Sequence, residues 1–141
     1  MTVELKKFIS AYVSLPEAEM NDVLSKFKSK TIKKNPSIKF NIEIKSKKEW
    51  LGIYQPESID AYVDLVVASL ASLPYSQYNL QSFDRAILYS LAERYPNIKL
   101  AYLIEDQILD PHSAKDLGIQ LYAISPEFNL LSKELLIIIK I

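Results

Sequence analysis

The chain has 141 residues, no formal net charge at pH 7 and no cysteine. It is long enough for one domain with a real core, but holds neither disulfides nor thiolate metal sites. Its only two glycines, Gly52 and Gly118, exclude the glycine-rich cradles of Walker-type and Rossmann-type phosphate sites.

The longest apolar runs, around Leu65 to Leu73 and Leu135 to Ile139, are too short for a membrane span. The N-terminus reads Glu4-Leu5-Lys6-Lys7 and shows no secretory pattern. The expectation is a soluble, cytoplasmic protein with no membrane span. Lysines crowd residues 1–50, whereas acids outnumber bases beyond them. That asymmetry raises nucleic acid as a partner. However, arginine is scarce, the lysines interleave with apolar helical positions, and the nine tyrosines form no stacking platform. Solvated helix faces are the better reading, with no nucleic-acid partner.

Leu5, Phe8, Ile9, Tyr12 and Val13 recur at helical spacing and predict a helix over Thr2 to Val13. Ser14-Leu15-Pro16 stops it and starts a second helix, in which Met20, Val23, Leu24 and Phe27 share a face. A polar Lys-Ser-Thr linker then leads to Pro36 and a strand over Lys39 to Lys45. That strand alternates strictly. Phe40, Ile42 and Ile44 point one way, and Asn41, Glu43 and Lys45 the other.

After a loop with Trp50, Gly52 and Pro56, the stretch Ser58 to Leu73 reads as a helix capped by Ser58. Its buried stripe is Ile59, Tyr62, Val63, Val66 and Leu70, and Pro74 ends it. A strand over Gln77 to Phe83 follows, then a helix capped by Asp84 with Ile87, Leu88 and Leu91 inward, closed by Tyr95-Pro96-Asn97. Ile98 to Ile104 is an apolar strand, and Pro111 to Leu117 a short helix with Gly118 as its stop. A strand over Ile119 to Ile124 closed by Ser125-Pro126, and a helix over Lys133 to Ile141 capped by Ser132, complete the chain.

From residue 38 onward strands and helices alternate, which predicts a parallel sheet with right-handed crossovers. In such sheets ligands collect beyond the carboxyl ends of the strands. The polar face of the Glu43 strand therefore has two readings: a wet surface, or the mouth of a site. Alternation favours the mouth.

Several segments resemble the glycerophosphodiester phosphodiesterase family. Asn41-Ile42-Glu43-Ile44-Lys45 resembles one of its strands, and Leu15-Pro16-Glu17-Ala18-Glu19 with Val23-Leu24 the segment before it. Leu80-Gln81-Ser82-Phe83-Asp84 resembles the next strand's Gln-Ser-Phe signature. Tyr95-Pro96 before Ala101-Tyr102-Leu103, and Leu117-Gly118 before Ile124-Ser125-Pro126, follow in the family's order. The resemblance spans nearly the whole chain.

It implies a partial (β/α) TIM-type barrel over residues 1–141, roughly strands four to seven with their helices, plus two N-terminal helices. It also implies a metal-dependent phosphoric diester hydrolase lineage in glycerophospholipid metabolism. Residue by residue, it gives Glu43 the role of a carboxylate ligand to a divalent cation, Mg²⁺ or Ca²⁺. Lys45 becomes the catalytic group that offsets charge on the pentacoordinate phosphodiester, and Gln81 lines the substrate pocket. The competing reading of Glu43 and Lys45 is an ion pair at a strand end.

The departures are as informative. The family's His-Arg-Gly segment, its Glu-x-Asp and His-Asp pairs and its Trp-Thr-x-Asn-type segment have no counterpart here. The lone histidine, His112, sits in a turn and matches no catalytic position. Glu105 and Asp106 are weak surrogate ligands, because paired acids there more often precede a helix; Asp84 is better explained as a cap. Four parallel strands leave open edges. The expected partners are therefore a second copy of the chain or a separate chain supplying the missing strands, with a small phosphodiester as ligand. Two functions stay open: an enzyme lineage inactive alone, and a non-catalytic interaction or phospho-ligand-binding module. A truncated reading frame without a selected role is a third possibility.

Overall fold

Residues 29–30, 32–105 and 117–130 are described by the structure, a computed structural model. From residue 40 onward the described strands and α-helices are β1 (Phe40–Glu43), α1 (Ile59–Ser69), β2 (Tyr78–Ser82), α2 (Arg85–Arg94), β3 (Lys99–Ile104) and β4 (Ala123–Pro126). The strands form one sheet in the order β1-β2-β3-β4, and every pairing is parallel. This is the α/β arrangement that alternation predicts.

The register explains how one sheet has two unlike faces. Phe40 pairs with Tyr78, Ile42 with Leu80, Leu80 with Leu100, and Ser82 with Tyr102. These side chains face the helices. Phe40, Tyr78, Leu80, Leu100, Tyr102 and Ile104 pack into one buried cluster with Tyr62, Val63 and Val66 of α1 and Ile87, Leu88 and Leu91 of α2. Val63, Leu80, Ile87, Leu88 and Leu91 are fully excluded from solvent. Burial of this kind stabilises by about 1.5–3 kcal/mol per large aliphatic side chain.

The opposite face carries the other half of each pair. Asn41 matches Asn79, and Glu43 matches Gln81, which in turn matches Ala101 and then Ala123. Asn41, Glu43, Asn79 and Gln81 are half-buried, and Asn79 Nδ2 donates to Asn41 Oδ1 across the ladder. The strict alternation in β1 thus separates a core-facing side from a polar one.

Two of the predicted caps, Ser58 and Asp84, form, and the third, Ser132, lies outside the described residues. Ser58 Oγ accepts from the Ala61 amide at 3.1 Å, and Asp84 Oδ1 from the Ala86 amide at 2.8 Å. Each satisfies one of the donors left free at a helix start. Across the two helices, the Arg94 guanidinium and the Tyr95 hydroxyl both donate to the Asp64 carboxylate, and Ser90 donates to Asp60.

Some boundaries differ from expectation. α1 stops at Ser69, short of Leu73. The amides of Leu70, Ala71 and Leu73 bond back three residues, to Val67, Ala68 and Leu70. Pro74 disfavours helical backbone at the residue before it, so the last turn tightens. Residues 29–30 and 32–34 are helical where a polar linker was expected. β4 begins at Ala123 and includes Ser125 and Pro126, which were expected to close it. Gly118 takes φ +67°, and the chain reaches the ladder only after Leu121. Pro126 lacks an N–H, and the next amide, Glu127, reaches Ile104 O at 2.9 Å. Among the described residues β4 has one neighbour, and an edge strand tolerates proline.

The predicted N-terminal helices, the helix over Pro111 to Leu117 before its last residue, His112, Asp106 and the terminal segment from Lys133 lie outside the described residues. Among the described residues, no helix is long and apolar enough to cross a membrane.

Candidate site at the carboxyl end of the sheet

Glu43 is the last residue of β1, and Lys45 follows two positions later on the same side of the chain. The Lys45 ammonium lies 2.8 Å from Glu43 Oε1, with the Glu43 side chain 12% exposed and that of Lys45 31% exposed. The ion pair of the plainer sequence reading is therefore present. It is partly buried, with one end reaching solvent. Glu43 Oε1 itself is closed to solvent and receives no hydrogen bond of good geometry. Gln81 stands opposite Glu43 in the register, half-buried on the same polar face. The structure thus brings Glu43, Lys45 and Gln81 to one end of two adjacent strands. Glu105 follows the end of β3 as an exposed residue, and Asp84 serves as the cap of α2.

The backbone beneath this pair is held by side chains that the sequence did not single out as site residues. The Ile44 amide continues the ladder by donating to Gln81 O at 2.8 Å. The Ile44 carbonyl accepts from Ser82 Oγ at 2.7 Å, and Ser82 Oγ also accepts from the Asp84 amide at 3.1 Å. The Lys45 carbonyl accepts twice, from Gln55 Nε2 at 2.6 Å and from the Tyr62 hydroxyl at 3.1 Å. Ser82 sits in the Gln-Ser-Phe motif, which was a usable signal. Tyr62 reads as one more residue of an apolar stripe, and nothing in the loop sequence marks Gln55.

Gln55 is placed by a tight knuckle. The Trp50 carbonyl accepts from the amides of Ile53, Tyr54 and Gln55, and the Gly52 amide donates to Gln55 O at 2.8 Å. Gly52 takes φ +74°, a conformation glycine adopts without strain. The knuckle leaves Ile53 and Tyr54 exposed and Gln55 buried.

Burial pushes the Tyr62 hydroxyl up to about 12, partly offset by its hydrogen bond with Gln55. Tyr62 is therefore a neutral donor across the physiological range.

Among the described residues, no group of three or more histidine, cysteine, aspartate or glutamate side chains is placed to hold a metal ion. Glu43 is a carboxylate of the kind that ligates hard cations, but its Oε1 already faces the Lys45 ammonium at 2.8 Å, so a cation there would have to displace that contact. Mg²⁺ in particular is often held by one or two carboxylates, with water and substrate phosphate supplying the rest. A cavity of about 450 Å³ lies elsewhere, between α2 and the segment after Gly118, lined by Tyr89, Glu93, Ile98, Leu100, Gly118 and Ile119. It borders the amino-terminal half of β3 on the helix side. None of the site residues lines it.

No protein-family model matches the sequence, and no curated protein does either. Among solved structures, the chain is similar to a "putative glycerophosphoryl diester phosphodiesterase" from Silicibacter pomeroyi DSS-3. The TM-score is 0.56 at 19% sequence identity, over 83% of this chain and 39% of that one. This chain therefore spans well under half of that protein's length. At this identity the likeness speaks for the fold. The parallel four-stranded sheet with its helices is an α/β architecture matching part of a TIM-type barrel.

Proposed function

We propose that this chain is a glycerophosphodiester phosphodiesterase-like protein that receives a phosphodiester at the carboxyl end of its sheet and does not hydrolyse it unaided. The observation that carries this reading is the shared placement of Glu43, Lys45 and Gln81 at that end. In a parallel α/β sheet, that is where ligands bind. The structural likeness and the ordered motifs supply the lineage.

In this reading Lys45 binds an anionic phosphoryl oxygen through its partly exposed ammonium. Gln81 offers an amide to the same ligand, and Glu43 serves as one carboxylate ligand of Mg²⁺ or Ca²⁺. Such a cation, when bound, stabilises charge on the phosphoryl oxygens. The Glu43–Lys45 contact keeps both groups ordered without ligand, and an arriving anion competes with Glu43 for the ammonium. Turnover is a different matter. Diester cleavage needs a group to take a proton from the attacking hydroxyl and another to protonate the leaving oxygen, each worth about 10²–10⁴-fold. Histidines usually do such work, and the chain holds a single one.

A second reading is a non-catalytic binding module. It draws on the Glu43–Lys45 ion pair, which is complete without a metal. The two part company on cation binding. Calorimetric titration of Mg²⁺ and Ca²⁺ into wild type and Glu43→Gln is the test. The enzyme-lineage reading expects binding that Glu43→Gln weakens; equal affinity in both proteins removes Glu43 as a ligand and leaves the binding module. In the enzyme lineage, the partner would be a second copy or a chain supplying further strands. Hydrolysis of glycerophosphodiesters would then appear only when the missing strands are added back.

A further inference from the structure

Three buried side chains from three different segments converge on two consecutive carbonyls where β1 ends. Ser82 of β2 takes the Ile44 carbonyl, while Gln55 of the knuckle and Tyr62 of α1 share the Lys45 carbonyl. We propose that Tyr62 and Gln55 are positioning residues for Lys45, fixing its backbone so that the ammonium stays beside Glu43 where the phosphodiester is received. This inference rests on the phosphodiester-binding reading above and names the residues that make its cation directional.

The ladder of β1 explains the need. Its last residue is Glu43, and the last backbone bond belongs to the Ile44 amide. Lys45 lies past the end of β1. A lysine presents a point charge on a flexible stem, so its usefulness at a site depends on where its backbone aims it. Two donors on one carbonyl fill both lone pairs and fix the peptide plane after Lys45.

Packing alone does not account for Gln55. It is 5% exposed, and its Oε1 has no hydrogen-bond partner. Such an atom is costly, and an apolar residue of similar volume would pack there without that cost. What the glutamine adds is the donor on Lys45 O. Tyr62 is likewise almost fully buried, at 1% exposure, and its elevated pKa keeps the hydroxyl protonated as a donor.

The test uses Tyr62→Phe and Gln55→Leu, each with and without Lys45→Ala, and sn-glycero-3-phosphocholine as the titrated probe. Loss of one hydrogen bond to the Lys45 carbonyl is expected to weaken the probe by about 2- to 10-fold. That loss should vanish in the Lys45→Ala background, because the clamp acts through Lys45. A merely structural role lowers thermal stability but leaves probe affinity, measured well below the melting temperature, unchanged. The same factor with and without Lys45, or no loss in either variant, overturns the inference.

If wild type does not bind the probe, the phosphodiester reading fails, and the ¹⁵N resonance of the Lys45 ammonium then decides the positioning role separately. Greater Nζ mobility in Tyr62→Phe or Gln55→Leu supports it, and unchanged mobility in both refutes it. Either variant suffices should the other fail to fold.

Discussion

Replacing Ser82 with alanine removes one oxygen atom and two hydrogen bonds at once. Ser82 is 1% exposed, donates to the Ile44 carbonyl at 2.7 Å and accepts from the Asp84 amide at 3.1 Å. The first loss strands a buried carbonyl beyond the reach of water, at a cost of about 1–3 kcal/mol. The second lies in a half-buried turn where water can substitute, so it adds less, about 0.5–1 kcal/mol. The expected destabilisation is about 2–3 kcal/mol. For a chain of this size each kcal/mol moves the midpoint by roughly 3–4 °C, so Tm should fall by about 6–12 °C. Thermal unfolding followed by circular dichroism reads the shift. Ser82→Cys, close in size but a weak donor, should fall in between. A shift under about 1.5 °C for Ser82→Ala would mean that the Ile44 carbonyl is solvated after all, and the reasoning about how β1 is held at its end would fail.

Ser58→Ala should destabilise by about 1 kcal/mol, the usual worth of a helix N-cap, in urea unfolding; Ser58→Asp should restore most of it. Stability should also fall in strong alkali. Tyr62 and Tyr78 are both pushed up to about 12, chiefly by burial, from an ordinary value of 10.0. Their contribution is fully present below about pH 10 and is lost as the pH climbs toward about 12, on the order of 2–3 kcal/mol for each. Tyr62→Phe should flatten part of that slope, and an unchanged slope would contradict its assignment. At the acid end, hydrogen bonds from Arg94 and Tyr95 hold the Asp64 carboxyl below its usual 3.8, with burial opposing them. Its contribution is present above that range and lost as the pH falls through the lowered value. Asp64→Asn should reduce stability at neutral pH and flatten its fall in acid, so that mutant and wild type converge at the lowest pH and the mutant's acid midpoint lies no lower than that of wild type, as acid titration of unfolding would show.

What the sequence reveals follows from the range of the interactions. The split of β1 into a core side and a polar side is local, since it needs only a period of two. So are the Ser58 and Asp84 caps, which contact residues two and three positions away. The Glu43–Lys45 pair was legible for the same reason. The end of β4 was misjudged because Ser125-Pro126 signals a stop wherever the strand is central. Here the sheet places it at an edge of the described strands, where the signal loses its force. Tyr62 and Gln55 reach the Lys45 carbonyl from 17 and 10 residues away, and Ser82 reaches Ile44 across 38. No periodicity encodes such convergence. It arises only when the sheet and α1 have packed.

The most direct examination of the account is an amide chemical-shift map recorded while sn-glycero-3-phosphocholine is added with Mg²⁺ present. The account predicts saturable shifts concentrated at residues 43–47 and 81–83, lost in Lys45→Ala. Shifts gathered around Tyr89, Gly118 and Ile119, or no saturable shift at all, would contradict it.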